Sequence, residues 1–71
     1  MAAVDWALLE PFIQQAFEQH GRIERADAID LAYGDNADDD VVDTIDAIGS
    51  RVFNSPDDVK KFLVELKLVN G

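Results

Sequence analysis

Asn36-Ala37-Asp38-Asp39-Asp40-Val41-Val42-Asp43-Thr44-Ile45-Asp46-Ala47-Ile48 occupies the middle of a 71-residue chain. At about 100° per residue, Val41, Val42, Ile45 and Ile48 fall on one arc, while Asp39, Asp43 and Asp46 gather on the other side. The stretch reads as an amphipathic helix with Asn36 as its N-cap. Asp38, Asp39 and Asp40 then fall in the first turn, where the helix dipole favours carboxylates, and Gly49 supplies a left-handed stop. One face is core and the other a row of acids. The rest of the chain is expected to pack against this helix.

The segments before it read as helices too. Trp6, Leu9, Ile13, Ala16 and Phe17 recur at helical spacing, with Phe12 beside them. Proline damages a helix interior but suits a first turn, so a short turn over 5–10 and a regular helix from Pro11 to His20 are predicted, ended by Gly21. A second short helix begins near Glu24, carries Ile23, Ala26, Ile29, Leu31, Ala32 and Tyr33 with Glu24, Asp27 and Asp30 outward, and stops at Gly34.

After Gly49, the link Ser50-Arg51-Val52-Phe53-Asn54 is expected to fold Val52 and Phe53 onto the core. Ser55 then reads as an N-cap, with Pro56 at the first helical position and Asp57 and Asp58 in the first turn. Val59, Phe62, Leu63 and Leu66 follow at helical spacing. Leu68 and Val69 either extend this helix or fold back, and Asn70-Gly71 should fray. No segment alternates apolar and polar residues between turn signals, so no strand is predicted. The expected fold is all-α: a single domain over 1–71, four short helices around one core.

Part of this order resembles a family of short bacterial helical proteins classed as a domain of unknown function. The likeness runs through Ile29-Asp30-Leu31-Ala32, Asn36-Ala37-Asp38-Asp39-Asp40-Val41-Val42, Ile45, Ile48 and Arg51-Val52-Phe53-Asn54-Ser55-Pro56-Asp57-Asp58-Val59, about half of the chain. The chain departs from the family at Ile48-Gly49, where the family has Leu-Pro, and at Arg22-Ile23, where it has Tyr-Pro. The resemblance implies a bacterial origin and a helical fold, and no activity.

Composition narrows the function classes. The formal charge of −9 repels nucleic-acid phosphates and anionic membranes, so a basic protein surface is the expected partner, with no direct nucleic-acid or membrane binding. No apolar run approaches the roughly 20 residues of a membrane span, and the start Met1-Ala2-Ala3-Val4-Asp5 lacks the order of a secretion signal. Without cysteine there is no disulfide or thiolate metal site. A cytoplasmic monomer or small homo-oligomer fits these features.

Catalysis finds little material. His20 is the sole imidazole and sits where a histidine complements a helix C-terminus. Ser50 and Ser55 have only that base to call on, and Ser55 has a capping role. The acidic run misses the calcium-loop template: counted from Asn36, the sixth position is Val41 and the twelfth Ala47. The chain therefore reads as no enzyme, with no cofactor, no metal and no catalytic residue. A helix-turn-helix is excluded by charge, since the helix that would enter the groove carries five aspartates, Asp38, Asp39, Asp40, Asp43 and Asp46.

What remains is recognition by charge. The candidate partner-binding residues are Asp39, Asp43 and Asp46, with Asp27 and Asp30 expected nearby, in an interaction module or adaptor. Trp6, Phe12 and Tyr33 are the candidate exposed anchors. The alternative is a nucleic-acid mimic that occupies the basic groove of a DNA- or RNA-binding protein, which needs two rows of carboxylates. Arg22, Arg25, Arg51, Lys60, Lys61 and Lys67 read as balancing charge, with Asp57 and Lys61 an i, i+4 pair.

Overall fold

The computed structural model describes residues 3–70. Four helices dominate: α1 (Trp6–His20), α2 (Arg25–Gly34), α3 (Asp39–Asp46) and α4 (Pro56–Glu65). Four two-residue strands join them, β1 (Val4–Asp5), β2 (Ile23–Glu24), β3 (Val52–Phe53) and β4 (Val69–Asn70). The fold is mostly helical, as the all-α expectation has it in part, with small sheets that the sequence reading does not predict. β1 runs parallel to β4, Val4 opposite Val69, and β2 antiparallel to β3, Ile23 opposite Phe53. A two-residue strand carries no readable period, so its β character comes from the partner alone.

α1 is one continuous helix through Pro11, and the predicted turn over 5–10 does not form. Two apolar residues explain this. Trp6 is 8% exposed and Leu9 0%, both ahead of the proline. Burying side chains of this size stabilises by about 1.5–3 kcal/mol each, which together outweighs the roughly 3 kcal/mol that an interior proline costs. The amide that Pro11 lacks would have met Ala7, on the exposed side of the helix, where water can serve that carbonyl. Trp6 Nε1 donates to Glu10 Oε2 at 3.2 Å.

This long helix, and not the acidic one, is the hub. α1 packs against α2, α3, α4, β1 and β2, whereas α3 meets α2, α1 and β1. The buried cluster joins Leu9 and Ile13 of α1, Ile23, Ala28 and Ala32, Val41, Val42 and Ile45 of α3, Ile48, Val59 and Leu63 of α4, and Val69. Phe12, Phe17, Phe53, Phe62 and Leu68 pack against its edge.

The helix ends follow one device with different residues. Gly21 (φ 72) donates to the Phe17 carbonyl and ends α1, as predicted. α2 runs through Gly34; its end comes at Asn36, left-handed at φ 55, where Asn36 N donates to Tyr33 O and Ala37 N to Ala32 O. That bond pair closes a helix end, so Asn36 terminates α2 instead of capping α3. Asp38 takes the N-cap position of α3 without a side-chain cap bond. α3 is correspondingly shorter than 36–48 and leaves through i→i+3 bonds from Ala47, Ile48 and Gly49.

α4 begins as predicted: Ser55 Oγ accepts from the Asp58 amide at 3.3 Å, with Pro56 at the first position. It ends at Glu65, leaving Leu66 49% exposed. Lys67, at φ 61, is the left-handed residue; Lys67 N donates to Val64 O and Leu68 N to Leu63 O. The chain then turns back, so that Val69 enters the core and Asn70, expected to fray, pairs in β4. Gly71 lies outside the described residues, as do the first two residues of the start compared with a secretion signal. Phe53 reaches the core edge, but Val52 is 51% exposed, against expectation, because successive strand residues face opposite ways.

Candidate functional site

The acidic helix has the two faces its spacing requires. Val41, Val42 and Ile45 of α3, with Ile48 just beyond it, are buried, and Asp39, Asp43 and Asp46 are exposed. Thr44 also falls inside, at 7% exposure, and satisfies its hydroxyl by donating to the Asp40 carbonyl at 2.7 Å.

Asp40, in the first turn, is exposed as well, and the four outward carboxylates are not equivalent. Arg25 Nη1 donates to Asp46 Oδ1 at 2.9 Å, which joins the first residue of α2 to the last of α3. Asp39 and Asp43 form no ion pair among the described residues. Lying four apart on one helix, they are neighbours at about 5–6 Å between Cβ atoms. The carboxylates of α3 without an ion pair among the described residues are thus Asp39, Asp40 and Asp43.

Asp27 and Asp30 sit elsewhere. Half-buried Asp27 lies 3.8 Å from His20 Nε2 at the end of α1. Asp30, one turn on, lines a depression together with Phe12 and Gln15 of α1. Both therefore turn toward α1, while Asp39 and Asp43 turn outward from α3. Asp27 and Asp30 thus lie on the α1 side of α2, and Asp39, Asp43 and Asp46 on the exposed side of α3.

The aromatic candidates separate as well. Trp6 is buried, Phe12 is half-buried at the core edge, and Tyr33 is 64% exposed at the end of α2. Phe53 and Phe62 rings stand 5.4 Å apart, and the Arg51 guanidinium lies over the Phe62 ring, 4.9 Å from its centroid, as a cation–π contact. Asp57 and Lys61 do not form the expected ion pair; the described pairs are those of His20, Arg22 and Arg25.

The Ser55 hydroxyl is engaged at the cap of α4 and His20 faces Asp27. Among the described residues no three His, Asp or Glu side chains are grouped to hold a metal ion, and no helix is long and apolar enough to cross a membrane.

Comparison of the chain with protein-family models, curated proteins and solved structures finds no match. The functional reading therefore rests on the surface itself. Of the residues that the sequence marks as candidates, Asp30, Asp39, Asp43, Asp46 and Tyr33 are exposed, Asp27 and Phe12 are half-buried and Trp6 is buried; the sequence does not mark Leu8. Exposed Leu8 lies four residues before Phe12 and so on the same side of α1. That i, i+4 relation was visible in the sequence, but α1 shows which side of it is covered.

Proposed function

We propose that this chain is a small, acidic, non-enzymatic interaction module that binds a basic protein surface through the outer face of α3, with Asp39 and Asp43 as its principal charges. The observation that carries this reading is that both carboxylates are exposed and have no ion-pair partner among the described residues. Unpaired carboxylates beside one another steer a basic partner and give it register. Asp46 contributes less, being held by Arg25. A cytoplasmic location, as a monomer or small homo-oligomer, belongs to the same proposal. So does kinship with the short bacterial helical family.

The nucleic-acid mimic is the weaker reading. It needs parallel rows of carboxylates, and Asp27 and Asp30 turn toward α1 instead of extending the row on α3.

The test is capture from an extract of the native host on the immobilised chain, eluted by a salt gradient, beside a variant carrying Asp39→Asn and Asp43→Asn. Basic proteins retained by the parent and lost by the variant support the module. Equal capture by both rejects it. A yield confined to nucleic-acid-binding proteins moves the assignment to the mimic.

A further inference from the structure

Between α1 and α2 runs a groove of about 360 Å³, separate from the outer face of α3. Pro11 and Phe12 form one wall, Leu31 and Gly34 the other, and Asp30 and Asp35 stand on the α2 side. No lysine or arginine lines it. Leu8, 53% exposed and four residues before Phe12, lies on the same side of α1. The groove thus offers apolar surface beside uncompensated negative charge.

Gly34 adds a second observation. It is helical, its φ is not in the left-handed range, and the end of α2 is closed by Asn36 two residues later, so the backbone there does not require glycine. A Cβ built on it would meet nothing within 4 Å. Glycine in a helix is destabilising by roughly 0.5–1 kcal/mol relative to alanine. Its effect here is to leave the α2 wall of the groove bare, which lets another chain approach the α2 backbone closely.

We propose that this groove is a docking site for a basic, amphipathic segment of a partner protein. An apolar side chain of the segment rests against Phe12 and Leu31, its backbone passes over Gly34, and lysine or arginine side chains reach Asp30 and Asp35. The inference rests on the reading that the partner is a basic protein, and it moves the apolar anchor from an exposed aromatic to the α1–α2 groove.

The test uses the full chain, isotopically labelled, and two short peptides of equal length: one alternating leucine and lysine, the other leucine and glutamate. The lysine peptide should shift the amides of Phe12, Leu31 and Gly34, and the glutamate peptide should leave them unmoved. Gly34→Leu fills open space with a good helix former, so it should melt no lower than the parent yet bind the lysine peptide at least tenfold more weakly. Asp30→Asn with Asp35→Asn should also weaken it and flatten its dependence on salt. Equal binding by the parent and a folded Gly34→Leu chain overturns the proposal, as does the absence of any shift. Should Gly34→Leu unfold, the Asn pair decides: unchanged binding overturns the proposal. Shifts confined to Asp39 and Asp43 overturn the groove while leaving the α3 module standing.

Discussion

Arg25 opens α2 and Asp46 closes α3, and the 2.9 Å bond between Arg25 Nη1 and Asp46 Oδ1 ties these two helix ends together across a separation of 21 residues. Both side chains are about half exposed, so solvent weakens the pair. Its larger consequence is for the surface, because it removes one of the four outward charges of α3, Asp39, Asp40, Asp43 and Asp46. Arg25→Gln should lower stability in urea by less than about 1 kcal/mol. It should also release Asp46 and steepen the salt dependence of any basic partner's binding. A variant that binds less well than the parent would count against α3 as the recognition face.

Pro11 is the internal fault of the hub helix. Replacing it restores an amide opposite Ala7 and removes the ring's clash with that carbonyl. Pro11→Ala should therefore stabilise the fold by about 1–3 kcal/mol, the upper figure being the full difference between proline and alanine in a helix interior. Thermal melting followed by circular dichroism reads this directly. A lower melting temperature would mean that the ring's packing in the α1–α2 groove outweighs the helix penalty.

Ser55 holds the start of α4 with a single 3.3 Å bond to the Asp58 amide. Ser55→Ala should cost about 1 kcal/mol, and Ser55→Asp should recover most of it, since aspartate is an equally good cap. Denaturant midpoints of the three chains check the order. Equal midpoints for serine and alanine would show that Pro56 and the packing of Val59 suffice to start the helix.

Ile45 is fully buried at the middle of the α3 stripe. Truncation to alanine should cost about 2–5 kcal/mol. Total stability for a chain of this size is only about 0.05–0.15 kcal/mol per residue, so Ile45→Ala should remove a large share of it and lower the denaturant midpoint well below the parent's. A midpoint equal to the parent's would mean that α3 is peripheral to the core.

Helix identity and the facing of α3 were legible because they depend on local order. The spacing of Val41, Ile45 and Ile48 against Asp39 and Asp43, the left-handed Gly21 and the capped start Ser55-Pro56 are properties of neighbouring residues, and each appears where expected. Asn36 and Gly34 were misread because either can supply a left-handed stop, and only the bonds to Tyr33 and Ala32 show which one does. Lys67 in the same role was invisible, since lysine has no preference for that conformation.

From residue types and their spacing alone come the four helices, the buried stripe and the excess negative charge, because short-range periodicity and composition suffice for them. Tertiary contact decided the rest: the continuity of α1 through Pro11, the strand pairs Val4–Val69 and Ile23–Phe53, the loss of Asp46 to Arg25, and the turning of Asp27 and Asp30 toward α1. Each depends on residues far apart in the chain. A proline's cost or a carboxylate's freedom has no fixed value until the neighbours that bury or neutralise it are in place.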